Sequence, residues 1–422
     1  MACAALISSL LHKLSPESKI LSDAESADFQ ASMKRWSNYN LQVPYAIVQP
    51  ANENDIARIV KEAVSAGVPF VPASGGHSPW SSIDQKGVII DLSLYKGVSV
   101  DAANNVVTAA LHPHKQFAAV GNGNTVGVIP YYLGGGISTY TPFIGYGSEN
   151  IVAAKLVNSK GELVEVSEQQ DPELLWGIRG AGQFLGLVTE FAIRTKPYYL
   201  LGNEDGQRMC GTYIFPIQSL DPVCAALETI MNSTEHVSAG HVMIVQAPPD
   251  FKQQALLVAP QAFCSQTLAP STFDKHSDHL DWVCAEGDFK RFTQTGLAGW
   301  STGNFKRLVE LHSELVKNCP DAARSGYTRE LKSSFGNENV EFWLNLLSLY
   351  TDAANHEVVD AMNRKAQAAM REGTKEEAFV SYTNTSREDP IEYQYKGTDT
   401  VDGLRALKTR VDPAGIFTKQ LL

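Results

Sequence analysis

One stretch constrains this chain more than any other. From Tyr45 to Ser78 it reads strand, helix, strand and then a glycine turn ending on a histidine. Ala46-Ile47-Val48 is a short apolar strand run. Asn52 is placed to cap a helix, with Asp55 three residues on to return the bond. Ile56, Ile59, Val60, Ala63 and Val64 then share one helical face, and Gly67 suits the left-handed position past the helix end. Val68 to Val71 reads as the second strand and runs into Pro72-Ala73-Ser74-Gly75-Gly76-His77-Ser78.

The first half continues in the same style. Val88 to Leu92 reads as a buried strand, Val106 to Ala110 as another, and Ala154 to Val166 as a hairpin around Asn158-Ser159-Lys160-Gly161. Leu187 to Thr195 alternates as a half-buried strand, and Gly121 to Gly147 is a second glycine-rich region. After about Pro197 glycine thins out and amphipathic helices appear. Phe305, Leu308, Val309, Leu315 and Val316 share one face, and Val358, Val359, Met362, Ala366 and Ala369 another. The N-terminal apolar run has no basic residue before it, so it reads as an amphipathic opening helix rather than a signal peptide.

A chain of 422 residues is too long for one ordinary core, so two domains are expected. The net charge of -11 argues against nucleic acid, because holding phosphates needs a basic face. No segment has the length and apolarity of a membrane span. The six cysteines form no CxxC pair, which points to reduced thiols and a cytoplasmic protein. Asp274, His276, Asp278 and His279 match no metal-ligand spacing and read as a polar loop.

Glycine loops after strands suit phosphates, because backbone N–H groups converge on an anion without side-chain interference. Two such loops suggest a ligand with a pyrophosphate. The GxGxxG dinucleotide fingerprint after the first strand is absent, which argues against a Rossmann site.

The order of motifs then becomes specific. Val71 to Ser78 and Gly87 to Leu92 are followed by Thr125-Val126-Gly127 and Leu133-Gly134-Gly135-Gly136. Next come Gly145 to Ile151, Leu174 to Gly180 and Phe184 to Phe191. Near the C-terminus stand Phe379-Val380-Ser381-Tyr382-Thr383-Asn384 and Asp412 to Phe417. The set resembles the vanillyl-alcohol oxidase, or PCMH-type, family of FAD-linked oxidases, in its berberine-bridge-enzyme-like branch.

The resemblance implies an α+β, two-domain PCMH-type FAD-binding fold. Residues 1–197 would form the FAD domain, 198–384 an inserted sheet-and-helix substrate domain, and 385–422 a return to the FAD domain. It further implies FAD bound covalently through His77. Cofactor contacts would come from Ser74, Gly75, Gly76, Ser78, Thr125, Gly134, Gly135, Gly136, Ser138, Gly145, Asn150, Ile151 and Val188. Tyr382 takes the position of the general base.

This sequence departs from the pattern at three places. Many relatives attach flavin a second time through a cysteine, and that position is Gly123, so a single attachment is expected. The Gly-Gly before the glycine triplet is Ile129-Pro130, and Pro130 has no N–H to give. The asparagine before the tyrosine is Ser381. The activity implied is oxidation of a small organic substrate, of the kind found in secondary metabolism, by hydride transfer to the flavin, with oxygen as the second partner. The alternative is a cyclase of the same family that forms a ring without net redox change, and a third reading is a flavin-binding protein without activity.

Overall fold

The computed structural model describes all residues except 96, 98–99, 102–105, 108–113, 124, 203, 232–238, 248–249, 263–268, 273–280, 332–339, 386–387 and 418–422. The polar loop around Asp274 and the end of the expected Val106 to Ala110 strand lie outside the described residues.

The opening unit forms for the local reasons its sequence suggests. The Asn52 side chain accepts from the Asp55 N–H, and helix Glu53–Ala66 ends on Gly67 at φ 63°. Its buried stripe, Ile56, Ile59, Val60 and Ala63, covers a four-stranded sheet. There Ala46–Gln49, Val88–Asp91 and Phe70–Ala73 run parallel, with Lys19–Leu21 antiparallel at the edge. The opening helix Ala2–Leu10 buries Leu6, Ile7 and Leu10 in the same core. One boundary differs from the sequence reading. The Val68 N–H closes the preceding helix on the Ala63 carbonyl, so the strand begins only at Phe70.

A second, five-stranded antiparallel sheet contains Ile151–Val157, Leu163–Ser167 and Leu187–Arg194. Helix Pro172–Ala181 covers it, and Leu404 and Leu407 of helix Thr398–Val411 enter that core. Lys408 fastens the C-terminal segment. Its buried ammonium donates to the Phe184 carbonyl at 2.6 Å, to Asp412 Oδ2 at 2.7 Å, and to the Phe417 carbonyl.

The third sheet has nine strands within Gln207–Ser381 and is antiparallel throughout. Helices Leu220–Met231, Thr302–Asn318 and His356–Arg371 pack on one face. Val359, Met362 and Ala366 carry the last helix's contact, whereas Val358 points outward, one residue off the buried stripe. The opposite face, with Met243, Phe292, Gln294, Thr328 and Asn345, turns toward the glycine loops. Strand Val380–Ser381 pairs with Phe289–Leu297, so Tyr382 emerges where the chain leaves this sheet for the C-terminal helix.

Candidate active site

The two glycine loops meet backbone to backbone. A Cβ on Gly75 would lie 2.5 Å from the Gly127 nitrogen and 2.6 Å from the Thr125 carbonyl oxygen, so no side chain fits there. Gly76 takes φ 67°, and its carbonyl accepts from the Trp36 N–H at 3.0 Å. That bond sets Trp36 beside the next residue, and the His77 imidazole stacks on its indole at 4.3 Å between centroids and 14° between planes.

Trp36 is itself held from the third sheet's side. Its indole N–H donates to the Val283 carbonyl at 2.7 Å, and its own carbonyl accepts from the Lys290 ammonium at 2.7 Å. Burial pushes the His77 pKa down to about 4, with the Lys290 charge helping. The ring is therefore neutral near pH 7, with a lone pair to offer.

These residues open on a cavity of about 1380 Å³ between the glycine loops and the third sheet. That exceeds the usual small-ligand pocket of about 300–1,000 Å³, leaving room for a dinucleotide and a substrate together. Of the residues expected from sequence, Ser74, Gly75, Gly76, His77, Ser78, Val188 and Tyr382 line it. Gln183 lines it as well. Both polar atoms of its amide are buried without a hydrogen-bond partner. The Thr125 hydroxyl, just behind the loop, is also buried without a partner.

Other expected positions stand behind the wall. Gly134 is pressed against Asn384, Gly135 against Tyr382 and Gly136 against Gly147, at distances that exclude a Cβ at Gly134 and Gly136. The triplet thus makes room for the C-terminal Tyr382 segment rather than lining the cavity. Ser138 and Ile151 are buried. Asn150 spends its amide on the Ile144 and Tyr146 carbonyls, at 3.1 Å and 2.7 Å. Gly145 supplies a turn at φ 73° against Glu149. Their positions are local: each shapes the turn that carries the wall.

Tyr382 joins the two halves. Its hydroxyl accepts from the Gly136 N–H at 3.0 Å, and its ring meets Trp343 edge-on at 5.9 Å. Trp343 in turn donates to the Tyr146 hydroxyl at 2.8 Å, and Asn384 donates to the Pro130 carbonyl at 3.0 Å. Ser381 lies in a separate ionic cluster, bonded to Asp389 and, at 3.0 Å, to Arg371. Trp36, Lys290 and Trp343 carry no sequence signal of this role, because their partners are distant along the chain.

Among the described residues no cluster of histidine, cysteine and acidic side chains could hold a metal, and no helix is long and apolar enough to cross a membrane. The family model for an FAD binding domain matches residues 44–167. The FAD-linked oxidoreductase hasG of Aspergillus fumigatus is 27% identical over 97% of each chain. Further curated relatives match over 36–55% of their own length. Among solved structures, 6-hydroxy-D-nicotine oxidase from Arthrobacter nicotinovorans shares the fold at TM-score 0.78 and 19% identity, over 96% of this chain and 97% of that one. Glucooligosaccharide oxidase from Acremonium strictum, described with a 6-S-cysteinyl, 8α-N1-histidyl FAD, does so at 0.77 and 17%, over 99% and 96%. With its matched FAD-binding domain, an oxidoreductase relative aligned over nearly the whole chain and a fold shared with flavin oxidases, the chain is an FAD-dependent oxidoreductase, similar to the FAD-linked oxidases.

Proposed function

We propose that this enzyme is an oxidase that takes a hydride from a small organic substrate, of the secondary-metabolite kind, and passes the electrons to oxygen as hydrogen peroxide. FAD supplies the hydride acceptor, its N5 atom, and the site at which oxygen is reduced. The observation that carries this reading is the meeting of His77 and Tyr382 on one cavity large enough for cofactor and substrate.

His77 is suited to hold the flavin covalently. A neutral imidazole is the nucleophilic form, and the glycines before it let backbone approach the ring. An imidazole bound at the flavin's methyl carbon draws electrons from the ring and makes it a stronger oxidant. Ser74, Gly75, Gly76 and Ser78 present loop donors for the pyrophosphate.

Tyr382 is suited to take the substrate's proton. The Gly136 N–H bond fixes its oxygen and offers a donor to negative charge that develops there. Substrate would lie against the sheet face, where Met243, Phe292 and Leu347 give apolar contact and the hydrogen-bonded Gln294–Asn345 pair gives polarity. Anaerobic mixing with a turned-over substrate tests the reading. Bleaching of the flavin's visible band, and peroxide on readmitting air, are expected; product formation with the band unchanged would favour cyclisation without redox change.

A further inference from the structure

The third sheet presents its cavity face in rows. Gln294, Asn345, Thr328 and Met243 are paired across four adjacent strands. Phe292, Leu347 and Gly326 form the next row, two residues away on each strand and so about 7 Å off. Both rows line the cavity. The polar row ends at Tyr382, whose N–H donates to the Gln294 carbonyl at 3.5 Å. The apolar row ends at Trp36, which Phe292 meets edge-on at 6.2 Å.

Gly326 is the member of the apolar row that the fold does not require. It is buried in strand Gly326–Leu331, without the left-handed φ that favours glycine. A Cβ there would meet Val245 Cγ1 at 3.5 Å and the Ile244 carbonyl oxygen at 3.9 Å, ordinary contact distances. Gly296, in the same sheet, differs. There a Cβ would lie 2.8 Å from Val340 Cγ2 and 3.0 Å from Val380 Cβ, so packing itself excludes a side chain. A strand glycine loses more backbone entropy on folding than alanine would. Glycine standing where a side chain fits therefore points to a ligand that approaches closely.

We propose that Gly326 sets the size of the substrate, opening the apolar row to a flat hydrocarbon body wider than one ring, while Asn345 and Thr328 bind an oxygen on the flank nearer Tyr382. The inference rests on the substrate position proposed above. The apolar row crosses three strands, about 10 Å, more than a single aromatic ring covers. Gln294 gives Asn345 Oδ1 its donor at 2.6 Å, so Asn345 has its own amide hydrogens for a ligand oxygen. The substrate class is then a fused-ring alcohol or phenol. A sugar chain fits poorly, because its hydroxyl groups would go unpaired against Phe292 and Leu347.

Calorimetric titration of the oxidised holoenzyme with phenol, 2-naphthol and cellobiose tests this. 2-Naphthol should bind most tightly, and Gly326→Val should weaken it by roughly 10-fold or more, with phenol changing by less than about 3-fold. Gly326→Ala should unfold in urea at the wild-type midpoint or above it, since the fold has room for the methyl group. Tighter binding of cellobiose than of 2-naphthol, no binding of 2-naphthol, an equal loss for both arenes in Gly326→Val, or a lowered midpoint for Gly326→Ala would each overturn the proposal. The titration needs no turnover. An enzyme that cyclises its substrate without oxidising it would fail the peroxide test above and still give these affinities.

Discussion

The His77 imidazole lies flat on the Trp36 indole, 4.3 Å away and 14° from parallel, with both residues pinned between a glycine loop and the third sheet. This stack fixes the plane in which the imidazole nitrogen can meet the flavin. An aromatic stack of this type contributes about 0.5–1.5 kcal/mol. Trp36→Leu should therefore slow covalent attachment by roughly 2- to 10-fold, followed as acid-stable flavin against time after adding FAD to apoprotein. Since His77 titrates near 4 instead of its ordinary 6.5, the wild-type rate should hold down to about pH 5; a fall centred on 6.5 would contradict the neutral, buried ring.

Tyr382→Phe keeps the ring against Trp343 but removes the oxygen that Gly136 holds. The rate of anaerobic flavin reduction should drop by roughly 10²–10⁴-fold if this oxygen is the general base, with the flavin still attached. An unchanged reduction rate would remove Tyr382 from the chemistry.

Lys408→Met addresses stability alone. It leaves Asp412 wholly buried without its cation and strands the Phe184 and Phe417 carbonyls. A loss of about 3–5 kcal/mol is expected from such an unpaired buried charge. Urea unfolding should show a lower midpoint, with the glycine-loop chemistry untouched until the C-terminal helix detaches.

His241 and His312 are deeply buried, and burial lowers both pKa values to about 4. Between about 6.5 and 4 the unfolded chain binds protons that the folded one refuses, so stability is full above 6.5 and is lost as pH falls. Each should cost about 2 kcal/mol at pH 5 relative to pH 7. His312→Gln should flatten this slope, measured as urea midpoints at the two pH values. Asp55, whose hydrogen bonds from Ser15 and Ser18 overcome desolvation to lower its pKa, acts only below the ordinary carboxylate range.

The legible part of this molecule is its local part. Asn52, the stripe from Ile56 to Ala63 and Gly67 announce a helix because cap, period and terminator lie within one segment. The loop that ends on His77 is legible for the same reason, since Gly75 and Gly76 mark close backbone approach. The strand edge at Phe70 was not, because the Val68 N–H is claimed by Ala63 through the helix end. The glycine triplet looked like cofactor wall, yet the space it frees is filled by Tyr382 and Asn384 from far along the chain. Trp36 under His77 is a product of topology, and no periodicity reports it.

The central claim is that His77 holds the flavin, and acid precipitation of purified holoenzyme tests it most directly. The wild-type precipitate should stay yellow, and the H77A protein should release its flavin to the supernatant while still binding it when folded. Complete release of flavin from acid-precipitated wild-type protein would contradict the claim.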